Sequence, residues 1–251
     1  MVSVIVPVWN DASCLDNLLH WLADEPGVFE IIVVDAGSSD HTTDVASSYP
    51  GVRLISSSRG RGRQMNAGAA VAGGDVLLFL HADTIPPRGS IAGLSALLKA
   101  RQADFGAYRV RFDPPVFIPQ VFALLTRFAF SWTCFGDQGI FVEREFFQKT
   151  GGFPDIALVE DIRWVRAAVK MGRMIRSPRT VVTSARRFVE TGALRQLWRN
   201  SCILVLERLG CDPATLAGIY HGRYRREDST GRLWWKCGDA KKENSQPISF
   251  R

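Results

Sequence analysis

The chain has 251 residues, 46% of them hydrophobic, and a formal net charge of +6. That length accommodates one large α/β domain, and the hydrophobic content is that of an ordinary globular protein. From Gly222 to the end eight Lys/Arg stand against four Asp/Glu, so the tail carries +4 and the body only +2. The high pI is therefore mostly a tail property and is no evidence for a nucleic-acid-binding face. Five widely spaced cysteines, odd in number and without a CxxC, fit reduced thiols in a cytoplasmic protein better than a disulfide framework or a zinc site.

Val2 to Val8 reads as a buried strand, so no signal peptide is expected. Asn10 to Ala23 has helical spacing, with Leu15, Leu18, Leu19 and Leu22 on one face. Glu30 to Asp35 is a second strand ending in a carboxylate. Gly37 to Asp40 is turn chemistry, and Asp40 can cap a helix over His41 to Ser48. Val52 to Ile55 is a third strand. An Arg/Gly loop, Arg59 to Arg63, then leads into an alanine-rich helix from Gln64 to Ala72, which Gly73-Gly74 ends. Asp75 to Leu80 is the fourth strand. This alternation predicts a parallel sheet with right-handed crossovers and both faces covered.

The second half is less regular. It reads as a helix over Ile91 to Ala100, an alternating, half-exposed strand over Phe105 to Phe112, and a broken apolar segment from Val116 to Trp132. Pro119, Gln120 and Arg127 interrupt that segment, so it does not read as a membrane span. It suits an amphipathic helix packed on the domain, with a membrane-surface helix as the alternative. A strand over Gly139 to Val142, helices over Arg144 to Thr150 and Glu160 to Met171, a strand over Thr180 to Thr183 and a helix over Arg195 to Leu209 follow. The domain is placed at 1–221. Residues 222–251 form a basic, aperiodic, flexible tail in which Trp234-Trp235 is an oddity.

Carboxylates mark the chemistry. Val76-Leu77-Leu78-Phe79-Leu80 runs through His81-Ala82 into Asp83, and Pro86-Pro87 stops the regular structure. A charge at the end of a buried strand stands at the sheet rim, where open α/β sheets bind ligands. Asp35 ends another such strand, Asp137 precedes one, and Glu160-Asp161 opens a helix whose dipole favours ionised acids. Each has a plain structural explanation as a turn or cap residue. Several of them around one rim, with Arg59, Arg61 and Arg63 between, point to a site. The Arg/Gly loop is neither a Walker A loop nor GxGxxG, because no Gly-Lys-Ser/Thr follows and Met65 takes the third glycine position.

In these segments, VSVIVPVWN, EIIVVDAGSSDHT, GRGRQMNAGAAVAGGDVLLFLHADT, GDQGIF and GGFPDIALVEDIRWVRAA, the chain resembles family 2 glycosyltransferases of the GT-A fold. More narrowly it resembles a bacterial "transferase 2" subgroup associated with radical-SAM/selenodomain or arsenosugar gene contexts. The resemblance runs from Val2 to about Tyr220 and includes RRFVETGALRQLWRN. It implies a mostly parallel sheet in a Rossmann-like αβα sandwich, and transfer of a sugar from a nucleotide-diphosphate donor, with inversion and with Mg2+ or Mn2+. It places Pro7, Val8, Asn10, Asp35 and Gly37 along the nucleotide, with Asp35 accepting from the base, commonly uracil. Arg61 or Arg63 would face the base or phosphates, with Asn66 beside them. His81-Ala82-Asp83 stands where the family has DxD, with Asp83 on the metal. Asp137 and Gln138 lie near the sugar or acceptor, and Asp161 of the Glu160-Asp161 pair is the catalytic base.

Such roles agree with general chemistry. A hard divalent ion takes oxygen ligands and needs only one or two carboxylates beside phosphate oxygens. Inversion needs one base on the face opposite the leaving group. The sequence departs from the family at Ala36, where a second Asp is usual, and at His81, a softer ligand than carboxylate that Mn2+ tolerates better than Mg2+. No QxxRW follows, which argues against a processive polysaccharide synthase. Two alternatives share the fold. A nucleotidyltransferase would carry a glycine-rich cationic loop where Pro7 to Asp11 stands, and a degenerate nucleotide-binding module would explain Ala36 and His81.

Overall fold

The computed structural model describes residues 1–27, 29–128 and 133–220. The basic tail and the end of the apolar segment, 129–132, lie outside the described residues.

The first half folds as its pattern predicts. Strands β1 (Val2–Val8), β2 (Phe29–Asp35), β3 (Val52–Ser56) and β4 (Val76–Phe79) pair in parallel in the order β3-β2-β1-β4. Helices α1 (Ala12–Ala23), α2 (Thr42–Ser48) and α3 (Arg61–Val71) make the crossovers. Continuous apolar strands arise because both faces are covered. Val2, Val4, Val6 and Val8 of β1 share one core with Leu15, Leu18, Leu19 and Leu22 of α1, whereas Ile5 points to a second core with Met65 and Ala69 of α3. At Gly68 a Cβ would stand 2.4 Å from Ile5 Cγ2, so only glycine lets α3 lie this close to the sheet.

The remaining elements are β5 (Thr84–Ile85), α4 (Leu94–Arg101), β6 (Phe105–Asp113), α5 (Phe117–Leu125), β7 (Ile140–Glu143), α6 (Arg144–Lys149), α7 (Glu160–Ala168), β8 (Met174–Ser184), α8 (Arg186–Thr191), α9 (Ala193–Arg208) and α10 (Pro213–Tyr220). A 3-10 turn, Gly136–Gln138, leads into β7. The whole is one eight-stranded sheet, β3-β2-β1-β4-β7-β6-β8-β5. Strand β7 runs antiparallel to both β4 and β6, and β5 antiparallel to β8. The sheet is therefore parallel from β3 to β4 and mixed beyond.

Four local expectations are corrected. The Arg/Gly segment is not a loop up to Arg63, because Arg61-Gly62-Arg63 is already the first turn of α3. Strand β6 is mostly buried rather than half-exposed, since β7 and β8 flank it and α4 and α5 pack nearby. Strand β8 begins at Met174 and not Thr180; the pairing with β6 slips between Ala107 and Arg109, and the exposed Pro178 sits near that irregularity. Helices α8 and α10 form where the sequence pattern marks no element. Among the described residues no helix is long and apolar enough to cross a membrane.

An aromatic cluster fixes α7. Trp164 packs on Phe105, Phe147 and Phe153, Phe79 on the latter two, and Trp164 Nε1 donates to Thr150 Oγ1 at 3.0 Å. The first turn of α7 is thereby held at the C-terminal rim of β4.

Candidate active site

The rim is built from strand ends of opposite direction. Strand β4 arrives at it and, through the turn His81–Thr84, delivers His81, Ala82 and Asp83. Antiparallel β7 departs from it, so the turn before β7 brings Gly136, Asp137 and Gln138 to the same place. Thr84 Oγ1 contacts the Asp137 carbonyl at 3.5 Å and the Thr183 hydroxyl at 2.9 Å, and the Ser184 N–H donates to the Asp83 carbonyl at 3.2 Å. The end of β8 thus joins the rim and continues into Arg186 and Arg187.

Four of the expected acids, Asp83, Asp137, Glu160 and Asp161, gather here with Arg61. Asp161 is buried; its Oδ2 accepts the Gly136 N–H at 2.5 Å and its Oδ1 the Ile162 N–H at 2.8 Å. Asp137 is pushed up to about 7, first by burial and then by the charges of Asp161 and Asp83. Asp83 is raised by burial and by Asp11, against the lowering influence of Arg187, Arg61 and Arg186. Glu160 is buried, with Oε1 3.7 Å from the Arg61 guanidinium and without a hydrogen-bond partner among the described residues; burial raises its pKa and Arg61 opposes. Burial disfavours the Arg61 charge, yet Glu160, Asp161 and Asp83 together hold its pKa above the ordinary guanidinium value. Its side chain remains 42% exposed, so it is crowded by acids within and open to a ligand without.

His81 faces the same turn. Its Nε2 is buried and unpartnered among the described residues, and a Cβ on Gly136 would stand 2.9 Å from that nitrogen and 3.1 Å from Asp161 Oδ2. Burial, then Arg61 and Arg187, push His81 well below the usual imidazole range, which keeps it neutral with a free lone pair.

A second cluster lies over the ends of β1 and β2. Asp35 is buried and accepts from Gly37 N at 2.9 Å, Ser38 N at 3.0 Å and the Ser38 hydroxyl. Gly37 takes φ +76° at the tip. The Asn10 N–H donates to Ser38 Oγ and its Oδ1 accepts from Ser39 N, clasping the two strand ends. Pro7 is half-buried, while the Val8 side chain is buried in the core and its carbonyl accepts from Gln64. Beside them the Arg59 guanidinium stacks 3.5 Å over the Trp9 ring.

Three expected site residues point elsewhere. Arg63 pairs with Asp155 on the exposed side, so Arg61 alone of the two joins the acids. Both ends of the Asn66 amide bond the Phe153 backbone, which holds the loop before α7. Gln138 is buried with its amide committed to Thr133 O and to Arg176, because a buried amide must find partners within the protein. Ala82 is buried.

The structure also adds residues. Arg186 stands 3.7 Å from Asp11 Oδ1, and Arg187 lies close enough to Asp83 and His81 to perturb both. The signal available was an Arg-Arg pair directly after the last strand. Gln64 donates to Val8 O and Val34 O, both at 2.8 Å, and so locks the first turn of α3 to the ends of β1 and β2.

The sequence profile described as Glycosyl transferase family 2 matches residues 3–144. Among curated relatives, a PGL/p-HBAD biosynthesis glycosyltransferase from Mycobacterium bovis is 40% identical over 90 residues, 33% of this chain and 35% of that protein. A probable glycosyltransferase, YdaM, from Bacillus subtilis is 26% identical over 208 residues, 70% of this chain and 48% of that protein. The chain therefore spans about a third to a half of the curated relatives it matches. Among solved structures, the mannosyltransferase PcManGT from Pyrobaculum calidifontis, in complex with GDP-Man and Mn2+, superposes with TM-score 0.65 at 22% identity, over 88% of this chain and 68% of that one. S. aureus TarS 1-349 with UDP-GlcNAc gives TM-score 0.60 at 18% identity, over 73% and 58%. The fold is the GT-A fold of these glycosyltransferases.

Proposed function

The chain belongs to glycosyl transferase family 2 and is a glycosyltransferase, and on that premise we propose that it moves a sugar with inversion from a nucleotide-diphosphate donor, a UDP-sugar, to a hydroxyl of a small-molecule acceptor. The observation that carries this reading is the meeting of Asp83, Asp137, Asp161 and Arg61 at one rim, where Asp161 and Asp83 both act on Asp137. The narrower assignment to the "transferase 2" subgroup rests on the motifs quoted above. A cytoplasmic location is part of the proposal and rests on Cys14, Cys134, Cys202 and Cys211, which are free thiols among the described residues.

Asp161 is the base. It takes the proton of the acceptor hydroxyl as that oxygen attacks the anomeric carbon, and the bond to the diphosphate breaks with its electron pair on the leaving oxygen. The Gly136 N–H and the aromatic seat of α7 hold the carboxylate in place. Arg61, open on one side, and Arg187 receive the diphosphate charge. Asp35 already accepts three donors, which leaves a carboxylate about one further acceptor site for a base N–H.

The rim donors fit a divalent ion that draws its other ligands from the donor's phosphates. Asp83 would hold it, with the neutral, unpartnered Nε2 of His81 as a second donor, and among the described residues no three His, Cys, Asp or Glu make a cage alone. Such an ion would neutralise charge on the leaving diphosphate. PcManGT, in its complex with GDP-Man and Mn2+, supports a metal of this kind.

The test is a thermal-shift panel of UDP, GDP, CDP and ADP with Mn2+, Mg2+ or EDTA, on wild type and Asp83→Ala. A ligand at 100 times its Kd stabilises by about 2.7 kcal/mol. The proposal expects a metal-dependent shift with UDP that Asp83→Ala abolishes. No shift with any nucleotide would overturn it, and a shift with GDP alone would replace the donor.

A further inference from the structure

Away from the rim, helices α5 and α9 pack against one another and each leaves an apolar stripe in solvent. On α5 the exposed residues are Phe117, Val121, Leu124 and Leu125, at helical spacings that share one side. On α9 they are Leu194, Leu197, Trp198 and Val205, followed by Leu209 at the helix end, again one side. Phe117 is 81% exposed and Leu194 and Trp198 73% each. Large apolar side chains aligned on two neighbouring helices are not the scattered exposure of an ordinary surface. The opposite side of α9 is occupied: buried Ile203 packs with Val159 and Leu216, and buried Glu207 pairs with Arg163 and Arg166.

The charge around the stripes has one sign. Between Arg186 and Leu209 there are five arginines against Glu190 and Glu207. Glu207 is spent on α7, and Arg195 and Arg208 are exposed on α9, as is Arg127 just beyond α5. None of these three arginines makes an ion pair among the described residues. An apolar stripe bearing Trp and Phe, edged by Arg, matches the boundary between headgroups and acyl chains of an anionic bilayer.

We propose that the α5–α9 face is a membrane-docking surface that lies in the interface of an anionic bilayer. The partner is a bilayer rather than a protein groove because the two stripes form an outward face edged by unpaired cations. Helix α8 connects this face to the site: it follows directly on the end of β8, where the Ser184 N–H donates to the Asp83 carbonyl, packs against α9 and exposes Val189 outward. Docking would therefore hold the rim beside the headgroups. The inference goes beyond the transfer reading and stands or falls without it.

The test is co-sedimentation of the full chain with phosphatidylcholine vesicles, with and without phosphatidylglycerol, for wild type, Leu194→Ser/Trp198→Ser and Arg195→Gln/Arg208→Gln. The substituted side chains are solvent-exposed, so circular dichroism should show an unchanged Tm. The expected result is binding to phosphatidylglycerol vesicles that falls at least about tenfold in either double variant, with little binding to phosphatidylcholine alone. Wild type left in the supernatant would overturn the proposal. So would full binding by Leu194→Ser/Trp198→Ser, which would assign the affinity to the basic tail. A dimer in sedimentation velocity that this variant dissociates would make a second copy the occupant and overturn it as well. None of these readouts depends on donor or acceptor chemistry.

Discussion

Asp161 Oδ2 accepts the Gly136 backbone N–H at 2.5 Å, so the acid at the start of α7 is tied directly to the turn that carries Asp137. Residues 25 positions apart become one unit through a single charge-assisted bond. The Gly136 backbone itself needs no left-handed conformation. What the position requires is the absence of a side chain, because a Cβ would meet His81 Nε2 at 2.9 Å and Asp161 Oδ2 at 3.1 Å.

Gly136→Ala therefore tests the geometry of the site. The added methyl must displace the imidazole or the carboxylate, at a cost of about 1–3 kcal/mol in stability. We expect kcat to fall by at least about tenfold with a smaller change in donor KM, since misplacing a base acts on the transition state. Steady-state kinetics with a turned-over donor checks this, and an unchanged kcat would remove Asp161 from the chemistry.

Asp161→Asn keeps the shape and removes the base. Transfer should drop by about a hundred- to ten-thousand-fold, while the metal-dependent thermal shift with nucleotide persists. Near-normal turnover would move the base to Glu160, whose Oε1 lies 3.7 Å from Arg61.

Asp137 gives a pH signature in the protein treated with EDTA. Its folded pKa, raised from 3.8 to about 7, means that between those values the folded chain holds a proton the unfolded chain has lost. Stability contributed by this group is full below about pH 4, falls as pH rises through that window and levels off above about 7, a loss on the order of a few kcal/mol. In Asp137→Asn the decline should flatten, which urea titrations at several pH values measure. An identical decline in the variant would refute the assignment.

Gln64 is a structural prediction. Its amide donates to Val8 O and Val34 O in a buried setting. Gln64→Leu should cost about 1–3 kcal/mol, because two carbonyls lose a donor and gain no water. Chemical denaturation reads the loss directly, and a neutral result would mean that the sheet ladder alone satisfies those carbonyls.

The chain by itself determined the parallel half of the sheet. Val2–Val8 and the strand ending in Asp35 appear where their apolar runs and turn residues place them, because continuous burial and glycine punctuation are local signals. The resemblance in the ordered motifs likewise identified the family. Asp83, Asp137 and Asp161 were each legible as acids at element ends, but not that they share one rim. That follows from β7 running antiparallel to β4, and strand direction is set by long-range pairing that no local period encodes. Only the tertiary structure separated Arg61 from Arg63, two residues apart in the same helical turn, since helix rotation points one at Glu160 and the other at Asp155. Gln138 and Asn66 read as ligand-facing polar residues for the same reason: a sequence does not say whether an amide faces a pocket or satisfies buried backbone.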